Sequence, residues 1–190
     1  MPFKGSKRTF GLILVGGKSS RMGREKHLIT YHDIPQYLHL HNLLSKICDE
    51  VYVSCSAAQK EKFNPDIKTI IDTTQHQGPL NAIKNAFTSF EANWLVVPCD
   101  MPNITSNTLA KLTSAKEDKA ILCAIDDQNI INPLLAYYHL KNKSLMRNYE
   151  GNSATDYAKK IGYSTVKLSK EESINVNSTE EYENYMRNHG

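Results

Sequence analysis

The segment FGLILVGGKSSRMGREKHL, residues 10–28, joins a continuous apolar run to a loop that is rich in glycine and basic side chains. An unbroken apolar run is typical of a parallel strand that is covered on both faces. The pair Gly16 and Gly17 follows this strand directly. Ligands of open α/β sheets bind at the carboxyl ends of the strands. This segment therefore predicts both an α/β fold and the place of its binding site.

The rest of the chain repeats the alternation of strand and helix. Further buried strands are predicted at 51–55, 68–72, 94–98 and 120–125. Helical spacing of apolar residues predicts helices at 35–47, 79–90 and 106–115. This order is typical of a mostly parallel sheet in a three-layer α/β/α sandwich with a Rossmann-like topology.

The pattern is less regular after Asp126. The run PLLAYYHL, residues 133–140, is compatible with a strand or with the start of a helix. We predict a short helix at 153–161, a strand in YSTVKL and a final helix at 178–188 that Ser178 caps. No linker or repeat divides the chain, so we expect a single domain over 10–188, preceded by a basic extension at 1–9.

Composition excludes several classes of function. The 190 residues carry a net charge of only +3, which is too mild for a nucleic-acid-binding protein. The four cysteines form no C-x-x-C pair, so we expect free thiols rather than disulfides or a zinc site. No apolar segment approaches the roughly 20 residues that span a bilayer. With no signal-peptide core at the start, these features favour a cytoplasmic protein without a membrane partner.

The glycine loop does not match the common phosphate-binding motifs. A Walker A loop that ends in Gly17-Lys18-Ser19 needs glycine at position 12, which is Leu12. The dinucleotide fingerprint fails as well, because the glycines stand at 16, 17 and 23. The physical requirements for phosphate binding are nevertheless present. Glycine backbone can approach an oxyanion closely, and Arg21 and Lys26 can neutralise a polyphosphate. The alternative is a glycine-rich turn with solvated basic residues.

Two further strand ends carry acidic residues. WLVVPCDMP places Asp100 just after an apolar strand, where a carboxylate suits Mg²⁺ together with phosphate oxygens. The alternative is an aspartate that begins a β-turn. IIDTTQHQGPL places Asp72 at another strand end and Gly78 before a helix. Asp72 either accepts hydrogen bonds from a base or ribose, or caps the loop.

The segment LVGGKSSRMGREK resembles the glycine loop of nucleotidyltransferases related to molybdenum cofactor guanylyltransferase. DTTQHQGPLNAI, VVPCDMPNIT and INVNSTEEY are similar to the later motifs of that family, in the same order. The resemblance covers residues 10 to about 185. It implies a sheet of the nucleotide-diphospho-sugar transferase type. Asn132 departs from the family pattern, because the family has histidine there.

The resemblance implies a role for each matching residue. Arg21, Lys26 and Asp100 would be catalytic, Asp100 would hold Mg²⁺, and Asn175 and Asn177 would lie on the acceptor side. The candidate nucleotide-binding set consists of Leu14, Val15, Gly16, Gly17, Arg21, Lys26, Ser54, Asp72, Gly78 and Asp100.

The implied reaction is transfer of GMP from GTP to a molybdopterin phosphate with release of pyrophosphate. Other molybdenum cofactor biosynthesis proteins are further candidate partners. Two alternatives stay open at this point. One is a cytidylyltransferase or sugar-phosphate nucleotidyltransferase on the same fold. The other is a nucleotide-binding module without catalytic activity.

Overall fold

The computed structural model describes residues 8–15, 26–72, 78–114 and 119–189. A seven-stranded sheet lies at the centre of the described chain. Its strands are β1 (Thr9–Leu14), β2 (Glu50–Cys55), β3 (Thr69–Ile71), β4 (Asn93–Pro98), β5 (Ile121–Ile125), β6 (Ile131–Tyr138) and β7 (Tyr163–Lys167). The α-helices are α1 (Gln36–Leu44), α2 (Ala57–Lys60), α3 (Pro79–Ser89), α4 (Ser106–Thr113), α5 (Lys143–Arg147), α6 (Ala154–Ile161) and α7 (Thr179–His189).

The strand order is β3-β2-β1-β4-β6-β5-β7. Strands β1 to β4 are parallel neighbours, whereas β6 pairs antiparallel with both β4 and β5. The carboxyl ends of β1, β2, β3 and β4 therefore meet at one edge of the sheet, which we call the carboxyl edge. The chain leaves β1 towards β2 and β3 and later returns to add β4 on the other side of β1. The β1/β4 boundary is thus the topological switch point where open α/β sheets bind ligands.

Two apolar layers cover the sheet, one on each face. Successive residues of β1 alternate between them, with Leu12 packed among α3, α5 and α6 and Ile13 packed against α1 and α4. Trp94 and Leu95 of β4 divide in the same way. Because both faces are buried, the strands need apolar side chains at every position, which explains the continuous runs in the sequence. The predicted three-layer α/β/α sandwich is confirmed.

The element predictions agree with the structure to within a few residues. The run 133–140, which was compatible with either a strand or a helix, lies mostly in strand β6. Its pairing with β4 and β5 decides the conformation, since Tyr137 lies opposite Leu95 and Leu122. The predicted helix at 35–47 ends at Leu44, and the short helices α2 and α5 were not predicted.

Helix α7 packs away from the sheet. Tyr185 on α7 joins Ile29, Tyr31 and Val176 in a separate apolar cluster. The Tyr31 ring meets the Tyr182 and Tyr185 rings edge to face, at centroid distances of 5.6 and 5.3 Å. The predicted cap of this helix is confirmed, because Ser178 Oγ accepts from Glu181 N at 3.2 Å. The C-terminal helix is thereby attached to the segment that follows the glycine loop.

The cysteine prediction is confirmed, since all four cysteines are described and are free thiols. Burial raises the pKa of both Cys48 and Cys123 to about 12, which keeps these thiols protonated and unreactive at neutral pH. Within the described ranges, no helix has both the length and the apolar character needed to cross a bilayer.

Candidate active site

The end of β1 lies at the switch point between its two neighbouring strands. Leu14 and Val15 are buried there. Leu14 O accepts from Cys99 N at 3.2 Å, and Val15 N donates to Ser54 O at 3.4 Å. These bonds fix the backbone from which the glycine loop departs. Gly16, Gly17 and Arg21 lie outside the described residues, so their roles stay predictions.

Lys26 begins a short 3-10 helix, Lys26–Leu28, that follows the glycine loop. Its side chain lies outside the described part of the structure. The next residue, His27, is fully buried between the rings of Tyr37 and Phe63. This packing anchors the point where the chain re-enters the core after the glycine loop.

Asp72 and Ser54 meet at the carboxyl ends of β2 and β3. Ser54 Oγ donates to Asp72 Oδ1 at 2.5 Å, and Asp72 N donates to Cys55 O at 2.8 Å. Burial raises the pKa of Asp72, while hydrogen bonds from Ser54 and Asn85 act in the opposite direction. The two candidates therefore form one unit, in which the serine holds a half-buried carboxyl group at the carboxyl edge.

Gly78 forms the entry to α3. Its φ of 151° and ψ of 156° lie in a region that essentially only glycine occupies. Pro79 follows in the first turn of α3, where its missing N–H leaves no hydrogen bond unmade. Because α3 starts after β3 and returns against the direction of the sheet, its N-terminus lies at the carboxyl edge. The motif GPL thus encodes a sharp turn at the predicted nucleotide site.

Asp100 lies beyond the end of β4, next to the end of β1. Its backbone O accepts from Val176 N at 2.8 Å. Val176 is buried, and its neighbours Asn175 and Asn177 are exposed. The structure therefore brings the two predicted acceptor-side asparagines next to the predicted metal ligand, although more than seventy residues separate them in sequence.

Segment 101–103 is held by several distant parts of the chain. Met101 O accepts from Gln36 Nε2 at 3.5 Å, and Pro102 O accepts from His32 Nε2 at 2.9 Å. Asn103 Oδ1 accepts from Tyr185 Oη at 2.6 Å. Sequence reasoning missed His32, Gln36 and Tyr185, because each contact joins residues at least 65 positions apart and follows no motif.

Asn132 also contacts this segment. It lies at the amino end of β6, which reaches the carboxyl edge because β6 is antiparallel to β4. Its Nδ2 lies 3.3 Å from Met101 Sδ, and its Oδ1 accepts from Leu134 N at 3.0 Å. A thioether is a weak acceptor. Asn132 therefore packs beside Asp100 without a strong hydrogen bond to that segment.

The donor set around Asp100 suits a magnesium ion that is shared with a substrate. No group of three His, Cys, Asp or Glu side chains arranged as metal ligands occurs within the described ranges. Mg²⁺ is usually bound by one or two carboxylates together with phosphate oxygens and water, rather than by an all-protein cage. A single half-buried aspartate, Asp100, whose backbone is bonded to the residue between Asn175 and Asn177, fits that pattern.

The fold and the residues at its carboxyl edge define a class of protein. An open, mostly parallel sheet with acidic residues and a glycine turn at its switch point is typical of α/β proteins that bind their ligand at the carboxyl edge. A family model described as MobA-like NTP transferase domain matches residues 11–161. This match covers most of the chain, which therefore belongs to that family. The protein is a nucleotidyltransferase, and the family resemblance seen in the sequence is confirmed.

Individual relatives agree with this assignment. A molybdenum cofactor biosynthesis bifunctional protein from Synechocystis sp. is 34% identical over 133 residues, which are 68% of this chain and 38% of that protein. The chain thus spans well under half of that relative. A probable molybdenum cofactor guanylyltransferase from Bacillus cytotoxicus is 26% identical over 191 residues, with 93% of this chain and 95% of the relative covered.

A solved structure shows the same fold. It is the molybdopterin-guanine dinucleotide biosynthesis protein A from Archaeoglobus fulgidus, which superposes with a TM-score of 0.77 at 18% identity. The superposition covers 94% of this chain and 97% of that one. The fold is thus shared despite low sequence identity.

Proposed function

We propose that this nucleotidyltransferase transfers GMP from GTP to the terminal phosphate of a molybdopterin acceptor and releases pyrophosphate. The observation that carries the proposal is the hydrogen bond between Val176 N and Asp100 O. This bond joins the asparagine segment, residues 175–177, to the backbone of Asp100, the aspartate that follows β4. A nucleotide bound along the ends of β1 to β3 and an acceptor bound by the asparagines would meet at Asp100. The names of the relatives support guanine and molybdopterin as the two substrates.

The nucleotide would lie along the ends of β1, β2 and β3. Leu14, Val15, Gly16 and Gly17 would contact it with backbone groups, and Gly78 would allow close approach at α3. Asp72 would accept hydrogen bonds from the base or the ribose. Support comes from the Ser54–Asp72 hydrogen bond, which orients the carboxyl group before a ligand arrives. A carboxyl group that is already oriented loses less conformational entropy when the ligand binds.

Arg21 and Lys26 would hold the triphosphate. Arginine offers a planar fork for two phosphate oxygens, and lysine offers a point charge. Lys26→Ala is expected to lose turnover by roughly 100-fold, since a charge-assisted contact to the leaving pyrophosphate disappears. The melting temperature should stay within about 2 °C of the wild-type value, because a charge that serves the triphosphate is expected to contribute little to the stability of the fold. Near-wild-type turnover of purified Lys26→Ala would refute this role.

Asp100 would hold Mg²⁺ together with phosphate oxygens of the nucleotide, and Asn177 would support the acceptor side. Bound there, Mg²⁺ supplies electrostatic stabilisation of the charge that develops on the α-phosphate and the leaving group. The task of Asp100 is to fix the position of that charge. A single carboxylate leaves the remaining positions open to phosphate and water.

The chemical step needs alignment rather than a strong base. An oxygen of the acceptor phosphate attacks the α-phosphorus and forms the new P–O bond. The bond from the α-phosphorus to the bridging oxygen breaks, and pyrophosphate leaves with that electron pair. The attacking phosphate is already ionised near neutral pH, so no proton has to be removed. The chain contributes by holding both substrates in line and by neutralising charge.

Pyrophosphate release in the presence of molybdopterin, Mg²⁺ and one nucleoside triphosphate at a time tests the proposal. We expect release with GTP and at least ten-fold less with CTP, ATP or UTP. Release with CTP alone would identify a cytidylyltransferase. Absence of release with every nucleotide, combined with a rise in melting temperature on GTP binding, would identify a binding module without catalytic activity.

A further inference from the structure

Three consecutive peptide carbonyls, those of residues 100–102, accept hydrogen bonds from three different parts of the chain. Asp100 O accepts from Val176 N at 2.8 Å, Met101 O from Gln36 Nε2 at 3.5 Å and Pro102 O from His32 Nε2 at 2.9 Å. Carbonyls in a short loop usually point to solvent. Here each one is directed to a specific donor, so the orientation of three successive peptide planes is fixed.

His32 is the donor with the better geometry of the two side chains. It lies in a tight turn that is closed by a bridge between Thr30 and Pro35, and Asp33 beside it has a φ of 62°. A carbonyl can only accept, so Nε2 of His32 carries the hydrogen. The ring stacks on His39 of α1 at a centroid distance of 4.0 Å and an interplanar angle of 24°. Turn geometry and stacking together hold the donor in place.

His39 supports this arrangement electrostatically. Burial, followed by the proximity of His32 and Lys46, lowers the pKa of His39 to about 4. The ring that stacks on His32 is therefore uncharged at neutral pH. Gln36 is fully buried at the start of the same helix, and its backbone N donates to Ile29 O at 2.9 Å. Both donors thus come from one short stretch that packs under the loop.

The loop around Asp100, which His32 and Gln36 hold, contains two residues without a backbone N–H donor. Pro98 and Pro102 lack N–H donors, so neither can close the turn around Asp100 with a backbone hydrogen bond of its own. At the start of the loop, Cys99 N donates to Leu14 O at 3.2 Å. Asp100 therefore lies between a peptide plane fixed by β1 and planes fixed by Val176, Gln36 and His32. These planes fix the direction in which the Cα–Cβ bond of Asp100 leaves the backbone.

We propose that His32, with Gln36 beside it, is a positioning residue that directs the Asp100 carboxyl group into the metal position of the active site. The inference rests on the proposed function, because it assumes that Asp100 binds the metal. The family resemblance assigns no role to His32 or Gln36. Groups that orient metal ligands through hydrogen bonds commonly change metal affinity by 10–100-fold when they are removed.

The test measures Mn²⁺ affinity by electron paramagnetic resonance of the free ion, with a non-hydrolysable α,β-methylene GTP present. His32→Leu is expected to weaken Mn²⁺ binding by roughly 10-fold. His32→Gln keeps an amide donor near the position of Nε2 and should recover most of that affinity. His41→Leu is the matched control, since His41 is a partly buried histidine of α1, the helix that follows the His32 turn, and it pairs with Ser45 instead of the loop at 100–102. It should bind Mn²⁺ as the wild type does.

Asp100→Asn in the same titration separates the possible failures. If Asp100→Asn loses Mn²⁺ affinity and His32→Leu does not, the positioning role is wrong while the metal site stands. If neither variant loses affinity, the metal role of Asp100 is wrong, and the proposal with it. Equal losses in His32→Leu and His32→Gln would also overturn the proposal. A loss of Mn²⁺ affinity in His32→Leu that is accompanied by a lower melting temperature in the absence of metal would overturn it as well. Both outcomes would indicate an effect on packing.

Discussion

Strands β1 to β4 are all parallel and follow one another through single α-helices, whereas β6, β5 and β7 mix directions and are followed by a long irregular segment. We call residues 8–100 the nucleotide half and residues 101–189 the acceptor half. The first half is held mainly by neighbouring elements that repeat one unit. The second half joins the first through the pairing of β6 with β4, and its C-terminal part reaches the site through distant contacts such as the hydrogen bond from Val176 N to Asp100 O. The protein thus combines a regular edge of parallel strand ends with a C-terminal segment, residues 168–189, that packs beside it.

The largest expected effect comes from the residue where the two halves meet. Asp100→Ala should lower turnover by roughly 1,000-fold, because it would remove the carboxylate that is proposed to hold the metal ion at the reacting phosphates. Its backbone bond to Val176 does not depend on the side chain, so the melting temperature should change by less than about 3 °C. Steady-state assay of pyrophosphate release and a thermal melt of the same sample check both statements. A large fall in melting temperature would instead indicate a structural role.

The next effect should stay within the nucleotide half. Asp72→Asn removes the negative charge of a group that is proposed to accept hydrogen bonds from the nucleotide. We expect KM for GTP to rise by roughly 10-fold and KM for the molybdopterin substrate to stay unchanged. Burial raises the pKa of Asp72, so the neutral amide should not lower the free energy of unfolding. The matched control is Asp66→Asn, an exposed aspartate before β3. A rise in acceptor KM for Asp72→Asn would contradict the division into halves.

A smaller effect is expected in the acceptor half. Asn177→Ala should raise KM for the molybdopterin acceptor by roughly 5-fold and leave KM for GTP unchanged, because one neutral amide contact contributes about 1 kcal/mol. Asn184→Ala, an exposed asparagine on α7, serves as the control. Two-substrate kinetics distinguish the outcomes, and an increase only in the KM for GTP would place Asn177 on the wrong side of the site.

The smallest effect concerns pH. The pKa of His39 falls from 6.5 to about 4, so the unfolded chain takes up this proton first as the pH drops. Its contribution to stability is complete above about pH 6.5 and is lost as the pH falls towards 4. Since His39 is half exposed, we expect about 1 kcal/mol rather than the full value of the shift. Urea unfolding at pH 7 and pH 5 should show a weaker pH dependence in His39→Gln, and an unchanged dependence would contradict this assignment.

The sequence predicts contacts that follow from the order of the strands, but not contacts that depend on pairing with distant residues, for a physical reason. Buried parallel strands require continuous apolar runs, and residues that follow such strands must meet at one edge, as Ser54 and Asp72 do. The run 133–140 carries apolar residues that suit either a strand or a helix, and only pairing with β4 and β5 makes it a strand. His32 and Gln36 leave no periodic signal, because their partners are backbone carbonyls about 65–70 residues away.

The C-terminal segment, residues 168–189, also indicates how proteins of this kind can diverge in sequence. The region shared with the family model ends at residue 161, whereas the asparagine segment and α7 lie beyond it. The segment proposed to bind the second substrate therefore lies beyond the region that the family model matches, and it packs on the rest of the chain through Val176, Tyr182 and Tyr185. Exposed residues of this segment, such as Asn175 and Asn177, can change without altering the ends of β1 to β3, where the nucleotide is proposed to bind. Acceptor preference and nucleotide preference are then free to evolve as separate traits.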